Sequence, residues 1–147
     1  MPTTLVRDVM NPQVIVAKSS VTIKEAAELM AQMRIGCLVV MDDEKLLGIV
    51  TESDIIGKVV AKNKDPEKVV LKEIMTGNVI SVSPDKNLDD AADIMVENKI
   101  KRLPVVDNGK LVGIITATDM ISFEPKMIET LSELFSLKSQ MGRTIAG

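Results

Sequence analysis

Histidine, tryptophan and tyrosine are absent from this 147-residue chain, cysteine occurs once and phenylalanine twice. Each absence removes a class of function. With Cys37 as the only thiol there is no intramolecular disulfide, and without histidine there is nothing from which to assemble a zinc site. Aromatics make up 1% of the chain, so any flat ligand has to be held by aliphatic side chains and backbone, Phe123 and Phe135 being the only rings. No apolar run approaches the roughly 20 residues of a membrane span. The N-terminus lacks a charged-then-apolar signal pattern, and a cytoplasmic protein without membrane contact is expected. Basic residues (18) and acidic residues (21) are interspersed, giving a net charge of -3 and no basic stripe, which argues against a nucleic-acid partner. Catalysis is not expected either, because Cys37 lies in an apolar run and no carboxylate has a nucleophile or metal constellation beside it.

What is present is a repeat. Residues 6–56 align with residues 71–121 at a fixed offset of 65 without a gap, with about a third of the positions identical. Met10 falls on Met75, Ala26-Ala27 on Ala91-Ala92, Met30 on Met95, Gly48-Ile49 on Gly113-Ile114, Thr51 on Thr116 and Asp54 on Asp119. Halves of about 50 residues are too small to bury a full apolar face alone, so the two are expected to form one folding unit with its function in the seam. The divisions are a first repeat over 1–62, a linker over 63–70, a second repeat over 71–123 and a terminal segment over 124–147.

Hydrophobic periodicity gives the same element order in both halves. Val14 to Val16 and Val79 to Val82 are short β-rich runs that precede a helical pattern. Ile23, Ala26, Ala27, Met30 and Met33 make one helix face behind a capping box of Thr22 and Glu25. Leu88, Ala91, Ala92, Met95 and Val96 repeat that face behind Asn87. The methionines at 30, 33, 75 and 95 are expected to fill core, and Cys37 to be a small buried residue. Leu38 to Met41 with Leu46 to Val50, and Leu103 to Val106 with Leu111 to Ile115, are hairpins; Asn108-Gly109 suits a type I′ turn and Asp42-Asp43-Glu44 is its looser counterpart. A last helix follows Thr51 and Thr116, so the repeat is β-α-β-β-α. The first copy of that helix continues through Val59-Val60 and breaks at Asn63-Lys64-Asp65-Pro66. From Glu124 to Ile145, Met127, Ile128, Leu131, Leu134, Phe135, Met141 and Ile145 recur at helical spacing. This predicts an extra amphipathic helix, which folds back on the chain or, the favoured reading, clasps a second copy.

The segments Gly48 to Asp54 and Gly113 to Asp119 place two hydroxyls and a carboxylate across a strand-to-helix junction. Such a junction suits an anion, its hydroxyls add hydrogen bonds, and the carboxylate can accept both vicinal hydroxyls of a ribose. The same Thr-x-x-Asp pattern is also that of a helix cap. Lys101-Arg102 precedes the strand Leu103 to Val106, and arginine offers a planar fork for phosphate; as an isolated pair it is also an ordinary solvated surface charge. The first repeat has Gly36 and Cys37 there, so the two sites are unequal.

With these features in register twice, the chain resembles a tandem pair of cystathionine β-synthase (CBS) domains, a Bateman module, over residues 5–122. The resemblance rests on Val6-Arg7-Asp8-Val9-Met10 and Leu71-Lys72-Glu73-Ile74-Met75, on Ile100 to Asp107, and on the two Gly-x-x-Thr-x-(Ser/Thr)-Asp endings. It implies an α/β fold of two repeats packed sheet to sheet about a pseudo-twofold axis. It also implies a regulatory role without a catalytic cofactor, with AMP, ADP, ATP or S-adenosylmethionine bound in the inter-repeat clefts and the signal passed to a regulated protein. A homodimer is expected on the same ground. By the same resemblance, Asp54 and Asp119 would hold ribose hydroxyls, and Thr51, Ser53, Thr116 and Thr118 would contact ribose or phosphate. Backbone at Ile15-Val16, Ile80-Ser81, Gly36-Cys37-Leu38 and Leu103-Pro104 would read the adenine edge, and Lys101 with Arg102 would face phosphates. The alternative is a ligand-free oligomerisation scaffold whose Thr-x-x-Asp segments are only caps.

Overall fold

The computed structural model describes residues 3–135 and 146–147. In chain order the elements are α1 (Val6–Val9), β1 (Val16–Ala17), α2 (Ile23–Met33), β2 (Cys37–Asp42), β3 (Lys45–Thr51) and α3 (Glu52–Ile55), which runs on as a π-helical turn over Ile56–Val60. Then come α4 (Leu71–Ile74), α5 (Leu88–Asn98), β4 (Arg102–Asp107), β5 (Lys110–Thr116), α6 (Ala117–Phe123) and α7 (Ile128–Leu131). The α/β class is that expected from the sequence; the order repeats except that the second half lacks a counterpart of β1, and the short helices α1 and α4 are additions to the expected β-α-β-β-α.

The chain divides into two compact units, Gln13–Ile80 and Met1–Pro12 with Ser81–Gly147; they are called the first and second units below. The opening segment of each repeat therefore lies in the unit built around the other repeat. In the second unit the amides of Val6 and Arg7 donate to the carbonyls of Lys86 and Pro84 at 2.8 and 3.0 Å. In the first unit the amides of Leu71 and Lys72 donate to Val21 and Ser19 at 2.9 and 3.0 Å, the same pattern moved by 65 residues. Val6, Leu71 and Ile74 are buried in the cores they join.

Glycine makes this exchange possible at one point in each unit. A Cβ on Gly48 would stand 2.7 Å from both the Met75 sulfur and the Thr76 carbonyl oxygen, and one on Gly113 would stand 2.7 Å from the Met10 sulfur and 3.0 Å from the Asn11 carbonyl oxygen. The bare backbone lets the crossing segment pair with the strand: Thr76 and Ile49 exchange hydrogen bonds of 3.1 and 3.0 Å, and Asn11 and Ile114 exchange bonds of 2.8 and 3.0 Å.

In the first unit β1 pairs parallel with β2 and β2 antiparallel with β3; in the second, β4 pairs antiparallel with β5. The run Val79 to Val82, expected as a strand, is reduced to a single parallel bridge between Val82 and Val105. The reason lies in the partner strand. Val39 donates its N–H to the Ile15 carbonyl at 3.3 Å, but its counterpart is Pro104, which has no N–H to give. The hairpins form as read, with Asn108 and Gly109 at φ 52° and 79°, the positive pair that a type I′ turn requires, and with Asp43 at φ 55°. Thr22 accepts from the Glu25 amide at 3.2 Å and Asn87 from the Asp90 amide at 2.7 Å, which starts α2 and α5.

Two side chains depart from the reading. Met33, expected in the core, is 47% exposed because it ends α2 on its outer side. Cys37 is half-buried instead of buried, since it opens β2 at the mouth of the sheet. The described part of the terminal segment is helical but broken, with short 3-10 turns at Pro125–Met127 and Ser132–Leu134 on either side of α7. Its described part folds back on the second unit, where Met127 and Leu131 are buried, so the clasp on a second copy is not how these residues are covered. Met141 and Ile145 lie outside the described residues.

One polar contact marks the first unit. The Ser19 hydroxyl and amide both donate to the Asp42 carboxylate, at 2.6 and 3.0 Å. These bonds, the hydroxyl first, hold the Asp42 carboxyl below its ordinary value. The folded group thus binds its proton less readily than the unfolded one. Its stabilisation is present above the unfolded value and is lost as pH falls through the folded one. In Ser19→Ala the Asp42 carboxyl is expected to titrate nearer its ordinary value by carbon-detected NMR, and the stability gap from the parent should close on acidification. A gap that widens at low pH would contradict this assignment. The second unit lacks the device, having Pro84 where Ser19 stands.

Candidate functional site

Each strand-to-helix junction gathers the candidate residues of its own unit. In the second unit Arg102 lies directly across the ladder from Thr116, and the Ala117 amide at the start of α6 donates to the Lys101 carbonyl at 2.8 Å. Lys101, Arg102, Thr116, Thr118 and Asp119 are thus drawn to one end of the β4–β5 hairpin. In the first unit Cys37 lies across from Thr51, and the Glu52 amide donates to the Gly36 carbonyl at 3.0 Å, which gathers Gly36, Cys37, Thr51, Ser53 and Asp54. Ser53 and Thr118 are exposed at matching positions.

Both carboxylates close a capping box. The Thr116 amide donates to Asp119 Oδ2 at 3.1 Å while the Asp119 amide donates to Thr116 Oγ1 at 3.0 Å. In the first unit the Thr51 amide donates to Asp54 Oδ2 at 2.9 Å, the Thr51 hydroxyl reaches the same oxygen at 3.2 Å, and the Asp54 amide donates to Thr51 Oγ1 at 3.3 Å. The cap reading of Thr-x-x-Asp is therefore realised, but it uses one oxygen of each carboxylate. The second oxygens differ. Asp54 Oδ1 pairs with Lys58 Nζ at 3.2 Å, and that ammonium also donates to the Ile74 carbonyl at 2.9 Å. The position matching Lys58 holds Phe123, and Asp119 Oδ1 has no hydrogen bond or ion pair among the described residues. Lys58 was not among the residues singled out from sequence, although its Asp-to-Lys spacing of four on a helix was the available signal.

The remaining candidates differ in exposure. Leu38, Leu103 and Pro104 are buried, so their side chains belong to the cores. Pro104 has no N–H, and its carbonyl accepts from the Val82 amide at 3.0 Å. The Ile15 carbonyl accepts from Val39, whereas Val16 is exposed beside it and pairs in register with Val39. Ser81 is exposed next to the Val82 bridge, and Ile80 closes the first unit. The Lys101 ammonium sits 4.6 Å from the centre of the Phe135 ring, so the terminal segment reaches the edge of the second unit's site. Among the described residues no three His, Cys, Asp or Glu side chains converge as for a metal, and no helix is long and apolar enough to cross a membrane.

The matching junctions correspond to two matches of one family model, the CBS domain, over residues 6–61 and 71–126. The chain belongs to the CBS domain family. This CBS pair is 38% identical over 130 residues to an uncharacterized protein of Methanopyrus kandleri, MK0525, an alignment covering 87% of this chain and 66% of that protein. It thus spans just under two thirds of that relative's length. Among solved structures, the CBS domain pair of protein MJ0100 in complex with 5′-methylthioadenosine and S-adenosyl-L-methionine matches with a TM-score of 0.76 and 37% identity, covering 85% of this chain and 98% of that one. A hexameric CBS-CP12 protein from bloom-forming cyanobacteria matches with a TM-score of 0.78 and 30% identity, covering 88% of this chain and 72% of that one.

Proposed function

We propose that this CBS pair is a cytoplasmic regulatory module that binds an adenosine-containing ligand at its strand-to-helix junctions and passes occupancy, through a change of conformation, to a regulated protein. The observation that carries the reading is the Oδ1 of Asp119, which has no hydrogen bond or ion pair among the described residues, beside Thr116, Thr118 and the Lys101-Arg102 pair. A carboxylate oriented by its own cap and still holding an acceptor suits ribose hydroxyls, and two cations at the same hairpin end suit phosphate. The adenosyl ligands of the MJ0100 pair support the same ligand class. The first unit has neither cation, so its junction suits an adenosyl group without phosphate. The module is further proposed to act as a homodimer.

Differential scanning fluorimetry with AMP, ATP, 5′-methylthioadenosine and S-adenosylmethionine tests the proposal. A ligand at 100 times its dissociation constant adds about 2.7 kcal/mol to the stability of the state that binds it, which is a clear rise in melting temperature. No rise with any of the four would leave the ligand-free scaffold as the better account.

A further inference from the structure

The two Thr-x-x-Asp caps are followed by different residues one helical turn on. In the first unit the Lys58 ammonium lies between Asp54 Oδ1 at 3.2 Å and the Ile74 carbonyl oxygen at 2.9 Å, while Asp54 Oδ2 accepts from both the amide and the hydroxyl of Thr51. Both oxygens of that carboxylate are engaged. The lysine belongs to the π-helical turn Ile56–Val60, a rare conformation that often marks functional positions, whereas the second unit runs as regular α-helix from Ala117 to Phe123. Phe123 holds the position matching Lys58, is 52% exposed and carries no charge, and Asp119 Oδ1 has no hydrogen bond or ion pair among the described residues.

We propose that Lys58 is the specificity-determining residue of the first junction: it holds the oxygen that a ribose hydroxyl needs, so the first junction fills only at higher ligand concentration than the second. The proposal rests on the adenosyl reading above and adds an order of filling to it. A ribose offers hydrogen-bond donors to a carboxylate, and at Asp54 each of them meets a donor already in place. The competitor at Oδ1 is charged and held at two points, whereas the incoming hydroxyl is neutral. Because the lysine side chain is half exposed, the penalty is about three- to tenfold in affinity and the junction is weakened, not closed. A chain whose junctions differ in this way reports two concentration ranges of one ligand. The difference persists for a ligand that has no phosphate for Lys101 and Arg102 to hold.

A phosphate-free probe therefore provides the test. 5′-Methylthioadenosine is titrated into the full chain, Lys58→Met and Phe123→Lys and followed by proton–nitrogen NMR, with the Thr51 and Asp54 amides reporting the first junction and the Thr116 and Asp119 amides the second. Circular dichroism melts establish that each variant is folded. In the parent the second junction is expected to bind about three- to tenfold more tightly than the first. Lys58→Met keeps the length of the side chain without its charge, and should tighten the first junction by a similar factor while leaving the second unchanged. Phe123→Lys places an ammonium four residues after Asp119 on α6, and should weaken the second junction while leaving the first unchanged. If Lys58→Met does not fold, Phe123→Lys decides alone. A junction that does not respond to its own substitution, or a parent whose first junction fills before or together with the second, would overturn the role of Lys58 and leave the ligand reading standing. Signals that move at neither junction in any of the three chains would overturn the ligand reading and this proposal with it.

Discussion

Leu71→Ala is expected to lower the free energy of unfolding by about 2–5 kcal/mol, a large part of the roughly 5–15 kcal/mol that holds a domain of this kind together. By position the residue opens the second repeat, yet its side chain is fully buried in the first unit among Ile23, Leu38, Val50 and Ile74. Its truncation removes apolar surface from water-free surroundings and leaves a cavity there. Gly48→Ala is the companion test. The new methyl would lie 2.7 Å from a main-chain oxygen, so relief requires moving the crossing segment itself, at a cost of about 1–3 kcal/mol. At Gly57 and Gly77 an added methyl would meet nothing within 4 Å, and alanine there serves as the control. Urea unfolding midpoints with unchanged slopes give the comparison. If Leu71→Ala costs no more than the exposed Lys72→Ala, the crossing segment is not part of the first unit's core in solution.

This exchange could not be read from the sequence, although its participants were all in view. The offset of 65 maps Leu71 onto Val6 and Gly48 onto Gly113, and that symmetry is the same whether each opening segment stays with its own repeat or crosses to the other. A repeat reports likeness, not connectivity. It follows that a cut at the repeat boundary takes Leu71 and Ile74 from the first unit's core and Val6 from the second's.

Local chemistry was far more legible. Thr22, Asn87, Thr51 and Thr116 cap their helices because a short side-chain oxygen placed just before a free helical N–H has few better uses. Asn108-Gly109 turns where two positive φ angles are needed. The shortened Val79 to Val82 strand was written at Pro104, on the neighbouring strand, where a search within the run itself could not find it. Of the terminal stripe, Met127 and Leu131 are covered, whereas Ile128 is 54% exposed. Its partner followed from geometry alone, since an apolar face of this length fits its own unit as well as a second copy. Within the site, Thr-x-x-Asp was open to two readings, and at Asp119 they are compatible, since the cap uses one carboxylate oxygen and the other has no partner among the described residues, whereas at Asp54 the second oxygen is paired with Lys58.

Asp119→Ala is expected to weaken binding of a phosphate-bearing adenosine ligand by tenfold or more, and Asp54→Ala to have a smaller effect. Hydrogen bonds to a charged group contribute about 1.5–3 kcal/mol each, and about 1.4 kcal/mol is a factor of ten in affinity. The difference between the two sites comes from their second oxygens. Asp54 Oδ1 is already paired with Lys58, so a ligand there has to displace an ammonium that also caps the Ile74 carbonyl. Among the described residues Asp119 Oδ1 has no such competitor, and Phe123 stands where the lysine would be. Because Asp119→Ala also removes the acceptor of the Thr116 amide, its loss of affinity mixes ligand contact with a frayed helix start. Asp119→Asn separates the two. Its amide oxygen can still accept from Thr116, so the cap and the melting temperature of the free protein should be largely kept while the charge-assisted bonds to ribose are lost. Isothermal titration calorimetry with AMP or ATP on both variants, read beside their melting temperatures, decides the role. Affinity that falls in Asp119→Ala but is intact in Asp119→Asn would mean that the carboxylate only shapes the helix start, and unchanged affinity in both would remove Asp119 from the site.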